Sequence, residues 1–175
     1  MMLKEILKEL IKKLNLKQIN VRRLLWYLLY LFLTLVLQTM ALTHLRPLGV
    51  CPFILPAAVV AVGMFEGATR GALFALAMGL CADMFYIEST VGFTLLFPAL
   101  AFGAGFIAQF FINRRFTGYM LIAAGALLLT GLMQMLRVLV TEGPAPVMFA
   151  TVLLQAIWAL PFAALLYFPP ARWIE

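Results

Sequence analysis

Long apolar stretches, separated by short polar ones, follow one another along the chain after a basic start. They cover residues 24–43, 47–65, 67–84, 91–112, 118–140 and 147–167. About 20 consecutive apolar residues are enough for a helix to cross the hydrocarbon core of a bilayer. The pattern therefore predicts an all-α membrane protein of about six transmembrane helices, joined by loops too short to form a soluble domain.

The second stretch is the least regular of these. Its clearest helical part, from Pro52 to Phe65, is short for a crossing, but residues 47–65 contain no charge. A partly extended start covers more distance per residue than a helix does. If this stretch crosses, Arg70 and Arg114 lie on the same side as the basic N-terminus, as the positive-inside rule requires. We therefore predict a full crossing.

Basic residues are concentrated on one side of the predicted membrane domain. Seven of the 13 lie within the first 23 positions, and Arg70, Arg114, Arg115 and Arg172 join them under a six-helix topology. This asymmetry places both termini in the cytoplasm. A basic flank directly before an apolar run is typical of contact with anionic lipid and does not indicate nucleic acid.

The composition supports a chain that lies almost entirely within the membrane. Hydrophobic residues make up 65% of the sequence, charged residues 11%, the net charge is +6 and the mean hydropathy is +1.05. A water-soluble domain would carry more charge. We predict a basic amphipathic segment over 1–23, a single membrane domain over 24–168 and a short cytoplasmic tail over 169–175.

The residues that usually carry catalysis are scarce. The chain has one serine, Ser89, one histidine, His44, and one aspartate, Asp83. A serine nucleophile needs a base within reach, and an aspartyl protease needs two carboxylates. Cys51 and Cys81 lack the paired spacing of a metal site or a disulfide framework. We therefore predict a protein that is not an enzyme and has no metal or cofactor.

Small residues recur every four positions along the third apolar stretch, at Gly67, Gly71, Ala75 and Gly79. Small residues at this spacing form a flat face that lets another membrane helix approach closely. The face can serve packing within the chain or form a groove for the helix of a partner. In the second case, replacing Gly71 and Gly79 with Leu should abolish partner binding and leave membrane insertion intact.

Charged residues near the membrane ends are expected to be paired. Glu66 and Arg70, four residues apart, predict a surface ion pair worth less than about 1 kcal/mol. Asp83 is expected to pair with Arg137 or with Arg46, so reversing both charges should rescue the damage caused by reversing Asp83 alone. Four glutamines are further candidates for hydrogen bonds between helices: Gln38, Gln109, Gln134 and Gln155.

Two consecutive segments resemble the MreD family. They are FEGATRGALFALAMGLCAD, residues 65–83, and ESTVGFTLLFPALAFGAGFIAQ, residues 88–109. Members of that family have a helix rich in small residues that ends in G-L-x-x-D, followed by a short turn and a second helix that begins at a glycine. Here Gly79, Leu80 and Asp83 form the pattern and Gly92 begins the second helix. The basic segment before the first stretch is longer than in a minimal member.

The resemblance implies a role in the bacterial cytoplasmic membrane. MreD proteins belong to the rod, or elongation, complex, which maintains cell shape through lateral peptidoglycan synthesis. They associate with the single-span protein MreC, in a complex that also holds MreB filaments, the glycosyltransferase RodA and a class B penicillin-binding transpeptidase. The implied function is that of a membrane scaffold.

A second function follows from the fold implied by the same resemblance. That fold is similar to the substrate-binding subunits of energy-coupling-factor vitamin transporters. Such a subunit needs a pocket of convergent polar groups near its outer face. The outer half offers Asp83, Glu88, Arg137 and Glu142 for one. However, the bulky first stretch lacks the small Ala-rich contact motifs that those subunits carry on their first helix, which favours the scaffold.

Overall fold

A computed structural model describes residues 21–42, 44, 49–86, 92–110, 115–143 and 145–167. Residues 1–20 of the predicted basic segment 1–23 and the tail at 169–175 lie outside this part of the chain, so the statements about them stay predictions, whereas residues 21–23 belong to the first helix. All regular structure in the described residues is helical, which confirms the all-α class. The helices, in chain order, are α1 (Val21–Val36), α2 (Leu55–Glu66), α3 (Ala68–Phe85), α4 (Phe93–Phe110), α5 (Phe116–Gln134), α6 (Leu136–Glu142) and α7 (Pro146–Leu165).

Three helices, α3, α5 and α7, are long and apolar enough to cross a membrane. The apolar stretches of α1 with its continuation, of α2 and of α4 are shorter, at Leu24–Met40, Leu55–Glu66 and Phe93–Gln109. Many large apolar side chains point away from the bundle, including Leu73 on α3, Leu95 on α4 and Leu121 on α5. An apolar exterior of this kind is suited to lipid and unsuited to water.

The central element is α2, although its sequence gave the weakest helical pattern. All of its residues from Leu55 to Met64 are buried, and it packs against α1, α3, α4 and α5. A helix that is apolar on every side is one that neighbours surround completely. Its first turn carries Pro56, where a missing N–H costs nothing because the helix start leaves those donors unpaired.

The chain enters α2 through a non-helical segment, residues 50–54. The sequence predicted a non-helical start to this stretch but placed the beginning of the helix at Pro52, whereas it begins at Leu55. The side chain of Gln38, which is buried, donates from Nε2 to the Pro52 carbonyl at 3.0 Å. Its Oε1 accepts from the Ile54 N–H at 2.8 Å. Gln38 itself lies in a π-helical continuation of α1, Leu37–Leu42. The glutamine therefore supplies the backbone partners that this segment lacks, which confirms its predicted role between elements.

The fifth apolar stretch is not one continuous helix, which corrects the prediction for 118–140. It breaks at Met135, between α5 and α6. Backbone hydrogen bonds still run across it, from the Met135 N–H to the Gly131 carbonyl at 3.2 Å and from the Leu139 N–H to the Met135 carbonyl at 2.9 Å. The interruption is therefore confined to the backbone at Met135, where ψ is −2°.

Successive long helices run in opposite directions and form two ends of the bundle. At one, which we call the Glu66 end, the ring of Tyr167 contacts the rings of Phe65, Phe116 and Tyr119. At the other, the Asp83 end, four aromatic rings from three parts of the chain pack together: Phe53, Tyr86, Phe93 and Phe97. Each end thus joins residues that are far apart in sequence.

Candidate functional site

The predicted small-residue face of α3 packs inside the bundle. A Cβ on Gly71 would lie 2.5 Å from the Cα of Gly63 on α2. A Cβ on Gly79 would lie 2.5 Å from the Phe93 carbonyl oxygen and 2.8 Å from the Thr94 Cα at the start of α4. Backbones approach this closely only where no side chain intervenes. Of the two alternatives for this face, the structure therefore confirms packing within the chain.

The other two members of the face have different positions. Ala75 is fully buried. Gly67 is not part of a helix face but forms the junction between α2 and α3, with φ of 92°. This value lies in the left-handed region, where a side chain would be strained. The junction is what turns the chain through the tight corner from α2 into α3.

Two further glycines complete the close packing, and the sequence reasoning missed both. A Cβ on Gly63 would collide with the carbonyl oxygen of Ala101 on α4. A Cβ on Gly105 would lie 2.6 Å from the backbone nitrogen of Ala68 and 2.8 Å from the Gly63 carbonyl oxygen. We call Gly63, Gly71, Gly79 and Gly105 the glycine contact. It brings α2, α3 and α4 together, backbone against backbone.

Asp83, at the end of α3, binds the first turn of α4. Its Oδ1 accepts from the Phe93 N–H at 2.8 Å, and its Oδ2 accepts from the Thr94 N–H at 2.9 Å and the Thr94 hydroxyl at 2.6 Å. The first amides of a helix have no partner within the helix and carry partial positive charge. A carboxylate is therefore well placed here without a cation.

The predicted ion pair of Asp83 remains a prediction. Arg46 and the side chain of Arg137 lie outside the described part of the structure. What the structure adds is a different set of partners for the carboxylate, the backbone amides of α4. Of the outer polar residues named for a ligand pocket, Glu88 and the side chain of Glu142 are also outside that part. Asp83, the remaining acidic member, is engaged in holding α4.

Glu66 and Arg70 form the expected contact, with 3.5 Å between Oε2 and Nη1. The environment differs from the surface pair that the sequence predicted, because the Glu66 side chain is only 5% exposed whereas that of Arg70 is 67% exposed. Glu66 also accepts a hydrogen bond from the hydroxyl of Tyr27 on α1. The carboxylate is thus enclosed by α1 and the α2–α3 junction, and the arginine covers it from the surface.

The remaining glutamines divide into a pair and a single residue. Gln155 on α7 donates from Nε2 to Oε1 of Gln134 on α5 at 3.2 Å, which confirms a hydrogen bond between helices. The single residue is Gln109, which lies beside the α2–α3 junction. Its Nε2 would be 3.4 Å from a Cβ atom added to Gly67. Beside the glutamine pair, Gly131 lets α7 approach α5, since a Cβ there would lie 2.9 Å from Val152.

Buried tyrosine hydroxyls connect the carboxyl end of α7 to its neighbours. Tyr119 on α5 donates to the Ala163 carbonyl at 2.8 Å, and Tyr30 on α1 donates to the Leu166 carbonyl at 3.3 Å. The Ala163 carbonyl also accepts from the Leu166 N–H at 3.0 Å, so the Tyr119 hydroxyl is a second donor to it. The sequence analysis did not single out Tyr119, for which a lone tyrosine within an apolar run was the available signal.

A small cleft lies at the Asp83 end, between α5–α6 and α7. It is lined by Leu132, Met135, Leu139, Met148, Phe149 and Val152. All of these side chains are apolar, so the cleft has no group that could orient a polar ligand. Among the described residues, no cluster of three His, Cys, Asp or Glu side chains forms either.

The geometry therefore identifies an architectural site, the α3–α4 corner, in which Gly79 and Asp83 fix α4 on α3. Comparisons of the chain with protein families, with characterised proteins and with solved structures find no match.

Proposed function

We propose that this protein is a six-span membrane scaffold of the bacterial elongation complex, with both termini in the cytoplasm. In this proposal it has no enzymatic activity, and it binds MreC through the bilayer. RodA, the class B transpeptidase and, indirectly, MreB are the further partners, and the membrane is the bacterial cytoplasmic membrane. The proposal rests on the resemblance to the MreD family and on the contacts that the resembling residues make in the structure.

One observation supports it above the others. The residues that carry the resemblance act as a single structural unit, the α3–α4 corner. Gly79 allows the backbone of Phe93 to approach α3, and Asp83 binds the first amides of α4. The two motif positions, Gly79 and Asp83, both stabilise this corner. A motif with that effect maintains the shape of the bundle. A rigid bundle with an apolar exterior is suited to hold partner helices beside it.

The small-residue face belongs to the interior, so the proposed contact with MreC is assigned to the outer surface. The exposed sides of α3 and α4 carry large apolar groups such as Leu76, Leu80, Leu95 and Phe102. A contact made of such side chains within lipid depends on packing, which dissolved ions do not screen. In contrast, a contact made by the basic N-terminal segment depends on charge.

This difference gives a test. The tagged chain is purified from a bacterial membrane in mild detergent at low and at high salt, and the proteins that accompany it are identified by mass spectrometry. We expect a single-span partner to stay bound at both salt concentrations, because its contact lies within the membrane. Partners held through the basic segment should be lost at high salt.

A variant that lacks residues 1–20 is the matched control for that purification. It should retain the single-span partner at both salt concentrations and lose the partners that high salt removes. Recovery of paired ATPase subunits or of a bound vitamin would contradict the scaffold and support the transporter subunit. Loss of the single-span partner at high salt would place the contact outside the membrane.

A further inference from the structure

Helix α1 is attached to the bundle along a row of polar side chains. The row comprises Tyr27, Tyr30 and Gln38, and we call it the α1 latch. Each member forms a hydrogen bond to a different partner in the bundle: the Glu66 carboxylate, the Leu166 carbonyl and the backbone of residues 52–54. The opposite side of α1 is exposed and apolar, at Leu24, Leu25, Leu28, Leu29, Phe32 and Leu33.

The latch holds both ends of the central helix. Tyr27 binds Glu66, the last residue of α2, and Gln38 binds Ile54, the residue before its first turn. At about 1.5 Å per residue, Tyr27 and Gln38 are about 16 Å apart along α1, and Ile54 and Glu66 about 18 Å apart along α2. The two helices therefore match in length between these points, and α1 is fastened to α2 at each end.

At the Glu66 end, two charged side chains are placed unfavourably relative to the helix dipoles. Glu66 lies at the carboxyl end of α2 and Arg70 in the first turn of α3, so each charge is at the less favourable end of its helix dipole. Because the Glu66 side chain is 5% exposed, water does little to compensate. The hydroxyl of Tyr27 supplies a direct donor to this carboxylate. Losing it should weaken the attachment of α1 more than losing a neutral contact would.

Apart from these hydrogen bonds, α1 packs against α2 and α3, where the rings of Tyr27 and Tyr30 contact Phe74. The glycine contact, by comparison, lies wholly among α2, α3 and α4. Asp83 likewise joins α3 to α4. None of these backbone contacts involves α1, so they can remain intact when α1 moves.

We propose that the start of α1 opens away from a bundle of α2–α7 that stays assembled, while Gln38 stays bound to the segment before α2, and that the hydrogen bond between Tyr27 and Glu66 controls this opening. Opening frees the start of α1 and the basic segment before it to move relative to the rest of the chain. The device is a property of the chain itself and does not depend on the partners proposed above.

Hydrogen–deuterium exchange of the full-length protein in detergent, followed by mass spectrometry, tests the proposal. In Tyr27→Phe, peptides from α1 should exchange about threefold to tenfold faster than in the wild type, the range expected for one hydrogen bond in a membrane protein. Peptides from α4 should exchange at the wild-type rate, since the glycine contact is intact. This pattern, confined to α1, is the signature of local opening.

Two control variants separate the latch from general damage to α1. Glu66→Gln keeps an acceptor for the Tyr27 hydroxyl, so its α1 peptides should exchange at close to the wild-type rate, whereas Glu66→Leu should behave like Tyr27→Phe. Leu29→Ala removes a side chain from the exposed face of α1 and should leave exchange at the latch unchanged.

Three results would overturn the proposal. Equal acceleration in α1 and α4 would mean that the helices open together. Unchanged exchange of α1 in both Tyr27→Phe and Glu66→Leu would mean that the latch does not hold it. Failure of Tyr27→Phe to yield a monodisperse folded protein would mean that the bundle does not survive without the attachment of α1.

Discussion

Gly63→Ala and Gly71→Ala are each expected to destabilise the bundle by roughly 3 kcal/mol, the upper part of the range for overpacked cores. The new methyl group of the first would collide with the carbonyl oxygen of Ala101, and that of the second would lie 2.5 Å from the Cα of Gly63. Both obstacles are backbone atoms, which do not move aside as the end of a side chain would. The helices themselves would have to separate.

Thermal unfolding in detergent, followed by the loss of the monodisperse peak in size-exclusion chromatography, measures this effect. Gly103→Ala and Gly125→Ala are matched controls, because nothing lies within 4 Å of a Cβ at either position. These two should be neutral or slightly stabilising, since Ala favours a helix more than Gly by about 1 kcal/mol. Equal melting temperatures for all four variants would contradict the close packing.

The same geometry changes the expectation for the double replacement of Gly71 and Gly79 by Leu. The sequence alone suggested that such a chain would insert normally and lose only its partner. Because both positions face backbone atoms of α2 and α4, the replacement should disrupt the bundle itself. A loss of co-purification in that variant would therefore report misfolding and would not locate the surface that binds a partner.

Asp83→Ala should also be strongly damaging, at about 2–3 kcal/mol. The substitution removes three hydrogen bonds to one carboxylate and leaves the amides of Phe93 and Thr94 without that partner. Hydrogen bonds to charged groups contribute about 1.5–3 kcal/mol, and loss of a helix cap costs about 1 kcal/mol. Thr94→Val removes only the hydroxyl bond and should cost clearly less. The same melting measurement ranks the variants.

An exchange of charges distinguishes this capping role from the ion pair that the sequence suggested. Arginine at position 83 cannot accept hydrogen bonds from amides. If capping dominates, Asp83→Arg combined with Arg137→Asp should be as unstable as Asp83→Arg alone. Rescue in the double variant would show that Arg137 is the partner that matters and would contradict the capping account.

The apolar stretches predicted the helices well, because lipid and helix geometry impose a minimum length on them. α3, α4 and α7 begin and end within two residues of the predicted stretches. The break at Met135 was not predicted, because it changes the backbone at one residue without changing the hydropathy pattern.

The site was predicted only in outline. Spacing identified Gly71 and Gly79 as a packing face, since one helix determines which of its own residues align. Spacing within one helix does not identify what lies opposite, and so Gly63 was missed. On α4 the sequence offers both Gly103 and Gly105, and only the second faces α2 and α3. Asp83 was recognised as a charge that needs partners, but these are amides ten residues further along the chain.

The burial of α2 has a consequence for how the chain is made. A helix of 12 residues with an extended lead-in is too short and too poorly paired to be retained by lipid alone. Its backbone partners at the lead-in come from Gln38, which leaves the ribosome earlier, and its packing partner at Gly63 comes from Gly71, which follows soon after. During synthesis, Gln38 is therefore present before α2 appears, and Gly71 follows directly afterwards. Chain order itself protects a helix that lipid would not hold.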